Sequence, residues 1–237
     1  MIRVTVWNEY FHELTRESVR KIYPNGIHGC IAEFLQCDDI EVRTATLLQP
    51  QCGLSQKVID ETDVLIWWAH MQHRLVPDEI ANRVHNAVMS GMGIIFLHSA
   101  HLSKPFTKLM GTTGYLSWRE DGDWERVWNI APGHPITQGI GRYIELEHEE
   151  VYSEPFGIPE PDQLIFIGTY EGGEVFRSGC CYNRGLGKVF YFQPGHEDFP
   201  IYYHKDVQTV IRNAVRWAAP TCRIAPACPH IKKIGEE

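Results

Sequence analysis

Gly93-Ile94-Ile95-Phe96-Leu97-His98-Ser99-Ala100-His101 is the stretch on which the reading of this chain turns. Four apolar residues after a glycine are too few for a stable helix. They suit a strand covered on both faces, which occurs where helices flank a parallel sheet. The run then stops at a polar cluster in which the small residues Ser99 and Ala100 permit a sharp turn from strand to helix. In open α/β sheets ligands collect at such carboxyl ends. A second apolar strand, Lys188-Val189-Phe190-Tyr191-Phe192, ends in the same way at Gln193-Pro194-Gly195-His196-Glu197. Two strand ends that each deliver a histidine suggest a single site.

Working outward from these strands, β-like and helix-like runs alternate. Arg3–Trp7, Glu41–Leu47, Val64–Trp68 and Gly93–His98 read as strands, and the stretches near Gly26–Cys37, Ser55–Thr62 and Pro77–Ser90 read as helices. Ile80, Val84, Ala87 and Val88 fall on one face at helical spacing, with Pro77 at the start and Gly91 after the end. The alternation predicts an α/β fold with a mostly parallel sheet and helices on both faces, flavodoxin-like in plan. From 111 to 161 the pattern breaks into turns, tryptophans and the acidic run Glu145–Glu150, and an aromatic-rich insertion or lid is expected there. Regular structure resumes with Leu164–Tyr170, Val175–Cys181, Lys188–Phe192 and a closing helix at Val207–Trp217. One domain over residues 1–219 is therefore expected. The tail at 220–237, with Cys222, Pro226, Cys228 and His230, lacks apolar periodicity and is expected to extend as an oligomer arm.

The chain has 237 residues, of which 43% are hydrophobic, ample for a sizeable core. A net charge of −8 gives no electrostatic footprint for nucleic acid or anionic membrane, so a small-molecule ligand is the expected partner. No segment approaches a membrane span and the first residues do not form a signal peptide. Seven cysteines without repeated spacing suit reduced thiols, and a cytoplasmic location is expected.

Four polar clusters follow apolar runs. His98 and Ser99 occupy the place of a nucleophile elbow, with His196 and Glu197 as the base and orienter that a serine nucleophile would need. His70 and His73, after Trp67-Trp68, have a spacing that lets two imidazoles share a face. Together with His98 and His196 they form a candidate site for Zn²⁺ or another divalent transition metal. Asn8, Glu9 and His12 follow the first strand, and Asn8 and Glu9 are candidate substrate contacts. In the acidic run Glu150, beside Tyr152, is the carboxylate expected to turn inward, with tryptophans such as Trp118 as a floor on which a sugar could stack.

These residues resemble the ThuA-like proteins of the trehalose utilisation family. The resemblance is carried by Leu97-His98-Ser99-Ala100, His134-Pro135-Ile136, Glu149-Glu150-Val151-Tyr152 and Gly187-Lys188-Val189-Phe190-Tyr191 leading to Gly195-His196, and by the stretches Trp7-Asn8-Glu9-Tyr10 and Trp118-Arg119-Glu120. It implies a fold like that of class I glutamine amidotransferases and a carbohydrate substrate, trehalose or a related disaccharide. In that fold the elbow normally carries a nucleophilic cysteine. Here the position falls on His98, and no cysteine lies between Cys52 and Cys180, so glutaminase chemistry is not expected. The expectation is a sugar isomerase, lyase or hydrolase working by metal-assisted or histidine-dependent proton transfer on a sugar or keto-sugar. His98, His196, Glu150 and Tyr152 are the expected catalytic groups, and Asn8, Glu9, Ser99, His134, Trp118 and Glu197 the substrate contacts. The alternative is a non-catalytic sugar-binding or regulatory module. A homo-oligomer is expected in either case.

Overall fold

In the computed structural model, which describes residues 1–224 and 227–235, one nine-stranded sheet organises the chain. Its strands are β1 (Ile2–Asn8), β2 (Ile40–Thr46), β3 (Val64–Trp68), β4 (Gly93–Leu97), β6 (Glu125–Asn129), β7 (Tyr143–Leu146), β9 (Gln163–Tyr170), β10 (Val175–Arg184) and β11 (Gly187–Phe192). A separate two-stranded ribbon pairs β5 (Ser117–Arg119) with β8 (Val151–Ser153). The sheet order is β2-β1-β3-β4-β11-β10-β9-β6-β7. The first five strands are parallel. From β11 outward every pairing is antiparallel.

The helices are α1 (His12–Thr15), α2 (Glu17–Ile22), α3 (Gly26–Leu35), α4 (Gln56–Asp60), α5 (Asp78–Met89), α6 (Lys104–Met110) and α7 (Lys205–Ala218). They cover both sheet faces because the central strands are apolar on both. Ile95 and Leu97 of β4 enter one core with Ile27 and Ile31 of α3 and Val210 and Ile211 of α7. Their neighbours Ile94 and Phe96 enter the other, with Ile59 of α4, Ile80 and Val84 of α5 and Phe106 of α6. The two-residue alternation of a strand thus feeds two cores, as a sheet buried on both sides requires.

The expected lid is only partly a lid. Strands β6 and β7 extend the edge of the main sheet, while the β5–β8 ribbon places Trp118 opposite Tyr152. Helices α1 and α2 are too short for a periodic signal. Helix α6 carried local signals, since the Ser103 hydroxyl caps it by accepting from the Phe106 N–H, Pro105 lies in its first turn and Gly111 closes it at φ +68°.

The start of the tail is not a free arm. The Ile224 N–H donates to the Ser90 carbonyl at 3.0 Å. The Arg223 guanidinium donates to the carbonyls of Ile59, Asp60 and Thr62 at the end of α4. Pro226 lies outside the described residues. Among the described residues no helix is long and apolar enough to cross a membrane.

Candidate active site

Three adjacent parallel strands deliver a histidine each to one edge of the sheet: His70 after β3, His98 after β4 and His196 after β11. Their ring centroids form a near-equilateral triangle, 5.3 Å from His70 to His98, 5.2 Å from His70 to His196 and 5.4 Å from His98 to His196. Glu150, just before β8, completes the group, and one ligand-type atom from each of the four lies within 4.8 Å of the others. His98 sits at φ +54°, a strained value for a residue with a side chain, which is the backbone signature of an elbow. Gly195, at φ +149°, lets the opposing turn come close, since a Cβ there would fall 2.1 Å from the Tyr202 Oη and 3.3 Å from the His98 Cβ.

Each imidazole is held by its Nδ1. That of His98 donates to the Gln193 carbonyl at 3.2 Å, which leaves Nε2 facing the Glu150 Oε2 at 3.0 Å. The His70 Nδ1 donates to the Glu197 Oε2 at 2.7 Å. The His196 Nδ1 accepts from the Asp198 N–H at 3.2 Å. These roles follow from the hydrogen-bonding partners. Among the described residues the buried His196 Nε2 has no hydrogen-bond partner.

Charge follows this geometry. Burial works against a charged His98, but the Glu150 carboxylate outweighs it and raises the imidazole to about 9. Glu150 is correspondingly held below its ordinary value by His98, against the effect of burial. Burial, reinforced by the charge on His98, lowers His196 to about 4. Glu149 is wholly buried and clamps the opposing turn, accepting from the N–H groups of Glu150, Gly195 and His196 at 2.9, 2.7 and 3.1 Å.

His70, Glu150 and His196 line a cavity of about 590 Å³, with the wholly buried His98 behind them, and its walls include Ser99, Tyr152, Tyr115, Trp118 and Arg16. The Ser99 Oγ lies 2.5 Å from the Tyr152 Oη. The Tyr152 ring stacks on that of His98 with centroids 5.4 Å apart. A second hollow lies at the opposite sheet edge around Arg3, Arg83 and Arg223, far from these histidines; each of these arginines is already paired within the protein.

The structure redistributes several expected roles. His73 is not brought into the metal-type group, because it lies in the short turn after His70 with its own ring buried. His134 is remote from the cavity: it caps the Pro135–Thr137 turn, its ring 5.6 Å from that of Trp217 at the amino edge of the sheet. Asn8 and Glu9 shape the site from beneath without lining the cavity. The Asn8 amide donates to the Glu13 carboxylate at 2.6 Å and its oxygen accepts from the Tyr10 N–H at 2.7 Å. The Glu9 carboxylate accepts from the backbone N–H groups of Met71 and Gln72 and so fixes the loop that carries His70. Glu197 lines the cavity, but it is committed to His70, Arg16 and His12. A Ser99–His196–Glu197 triad is therefore not assembled, since Ser99 bonds to Tyr152, Glu197 to His70 and the His196 Nδ1 to Asp198. Sequence reasoning missed Glu120, whose Oε1 lies 3.6 Å from the His196 Nε2, and Glu149. Glu120 belongs to the Trp118-Arg119-Glu120 stretch, and Glu149 stands beside the residue chosen from the acidic run.

The fold and the elbow define an α/β protein built on the glutamine amidotransferase plan, with His98 at the turn that follows β4. A putative ThuA-like protein from Parabacteroides merdae superposes with a TM-score of 0.60 at 13% identity, covering 94% of this chain and 92% of that one. A cytoplasmic protein of Salmonella typhimurium gives 0.60 at 8% identity, with 93% and 100% covered. A glutamine amidotransferase from Thermotoga maritima gives 0.54 at 10%, with 91% and 97% covered. No curated protein matches the chain at a significant level. The chain belongs to the ThuA family, described as trehalose utilisation, whose model matches residues 3–218.

Proposed function

We propose that the protein is a metal-dependent enzyme that moves a proton on a carbohydrate of the trehalose type, in the form of a keto-sugar, leading to isomerisation or eliminative cleavage. The observation that carries this reading is the convergence of His98 Nε2 and Glu150 Oε2, buried and 3.0 Å apart, with His70 and His196 at the base of an open cavity. Ligand-type groups gathered this closely away from water carry a desolvation cost that a cation would offset. The mixture of imidazole and carboxylate suits Zn²⁺ or a neighbouring divalent transition metal. Such an ion would polarise a carbonyl oxygen and acidify the adjacent C–H, whose proton would pass to a carboxylate at the cavity wall, Glu120.

The chain's own residues supply the rest. Glu197 and the Gln193 carbonyl orient two imidazoles through their Nδ1 protons. Tyr152, in contact with Ser99, offers a hydroxyl at the cavity wall, and Trp118 offers a half-open aromatic face for the apolar side of a sugar ring. With His98 at the elbow there is no thiol to form the thioester of a glutaminase.

The test is to incubate Zn²⁺-loaded or Mn²⁺-loaded protein with a keto-disaccharide in D₂O and follow the C–H positions beside the carbonyl by NMR. Deuterium incorporation or bond cleavage, abolished by a chelator and in His98→Ala, is expected. Metal-loaded protein that binds the sugar but exchanges no proton would instead identify a binding module.

A further inference from the structure

We infer that His196 is not a fourth metal ligand but a hydrogen-bond donor, presenting an Nε2–H to a ligand oxygen beside the open position of a His70–His98–Glu150 metal triad. The inference rests on the metal reading above and deepens it by dividing one cluster into two kinds of group.

The division comes from what each Nδ1 touches. A neutral imidazole has one N–H and one lone pair, so the partner of one nitrogen fixes the task of the other. His98 faces a carbonyl and His70 a carboxylate; both partners accept, so both rings keep a proton on Nδ1 and can turn Nε2 to a cation, which on His98 would displace the proton now shared with Glu150. His196 is the opposite case. Its Nδ1 faces the Asp198 backbone N–H, which can only donate, so the lone pair is spent there and the proton resides on Nε2. The same two-residue arrangement caps the chain at His134 and His204, where the Nδ1 accepts from the N–H groups of Ile136 and Asp206, each at 3.2 Å. It is therefore a built turn, set here by the start of the Asp198 segment. Binding a metal through the His196 Nε2 would require either an imidazolate or the loss of that cap.

Two histidines and a carboxylate form a complete protein ligand set for a catalytic zinc-type site, with room for exogenous oxygen. The His196 Nε2 is buried and without a hydrogen-bond partner, and the Glu120 Oε1 at 3.6 Å stands just beyond bonding distance. A ligand oxygen entering between them would satisfy that N–H. The fitting chemical class is a hydroxycarbonyl or vicinal diol, with one oxygen on the metal and its neighbour accepting from His196. That spacing belongs to sugars, and a lone carboxylic acid or amine does not supply it.

The test needs no substrate. Metal-free wild type, His98→Ala, Glu150→Gln and His196→Gln are titrated with Zn²⁺ by calorimetry, with circular dichroism as the check on folding. Affinity is expected to fall by about 100-fold or more in the first two variants, beyond the 10–100-fold typical of outer-shell losses, and to change by less than about threefold in His196→Gln. Long-range ¹H–¹⁵N spectra of the wild type should show His196 as the Nε2–H tautomer with and without Zn²⁺. A folded His196→Gln that loses Zn²⁺ as severely as His98→Ala, or a His196 spectrum with the proton on Nδ1, overturns the inference. If the wild type takes up no Zn²⁺, the metal reading of the previous section falls, and the nitrogen spectrum still decides whether His196 is a donor.

Discussion

The Nε2 of His98 and the Oε2 of Glu150 lie 3.0 Å apart with both side chains shut away from bulk water, although one residue ends a central strand and the other begins a peripheral ribbon. The pair ties the two halves of the site together electrostatically. Glu150→Gln removes the charge and keeps the shape, so the His98 titration, raised to about 9 by this neighbour, should move to lower pH. NMR titration of the imidazole would show it. Breaking a buried pair from one side typically costs about 3–5 kcal/mol, so lower stability should accompany the shift. A His98 midpoint that stays put in the variant would mean that the pair is not ionised.

Glu197 reaches the centre only through His70. Burial works against its charge, yet the hydrogen bond from His70 and the nearby imidazoles of His196 and His12 hold it well below the usual carboxylate range. Glu197→Gln should leave the fold intact and weaken divalent-metal binding by about 10–100-fold, the usual effect of losing an outer-shell carboxylate. Competition against a chelating dye would measure this. Unchanged affinity would assign Glu197 to the ligand side of the cavity.

Gly195→Ala should be among the most damaging small substitutions in the chain. The new methyl would need to occupy space 2.1 Å from the Tyr202 Oη at a backbone angle of φ +149°. A loss of about 2 kcal/mol or more is expected from strain and displacement together. Urea denaturation would read it, and near wild-type stability would show that the turn can relax without cost.

His101 predicts an acid-side loss of stability. Burial lowers it to about 3, while its Nδ1–H donates to the Gly114 carbonyl at 2.7 Å. An unfolded histidine titrates near about 6.5, so between these values the unfolded chain binds the extra proton. The contribution is therefore fully present above about pH 6.5 and drains away as the pH falls, by up to about 1.4 kcal/mol per pH unit. His101→Gln should lose less stability between pH 7.5 and pH 5 than the wild type does. Parallel pH curves for the two proteins would remove His101 from the account.

Trp118 is 63% exposed, opposite Tyr152 on the ribbon, so Trp118→Ala should barely change the melting temperature. Sugar affinity should nonetheless fall by about 5-fold to 100-fold if the indole is a stacking surface, corresponding to roughly 1–3 kcal/mol. Intrinsic fluorescence quenching by an added disaccharide should vanish in the same variant. Affinity that is indifferent to the indole would place the sugar elsewhere in the cavity.

The parallel half of the sheet was legible because β3 and β4 are apolar on both faces, β1 alternates around Val4 and Val6, and each stops at a polar cluster. That pattern also pointed to His70, His98 and His196. What escaped was anything set by tertiary placement. His73 has the same local credentials as His70, and only the direction of the turn separates them. His134 belongs to a motif of the resemblance, yet α7 and β11 draw it to the opposite sheet edge. Glu9 and Glu197 were recognised as important polar residues, but their work is to position His70, a role visible only once the Met71 N–H and the His70 Nδ1 are located. Strands β9 and β10 were also legible, whereas β6 and β7, the outer part of the antiparallel wing, were hidden inside the expected insertion because they are short and half exposed.

The strapping of Arg223 and Ile224 across the ends of α4 and α5 has a practical consequence. Those contacts lie at the amino ends of the strands, whereas the cavity opens at their carboxyl ends. The chain therefore departs from the domain on the side facing away from the histidines. A tether attached beyond Ile224 would anchor the molecule to a sensor surface with its mouth turned toward the flowing solution.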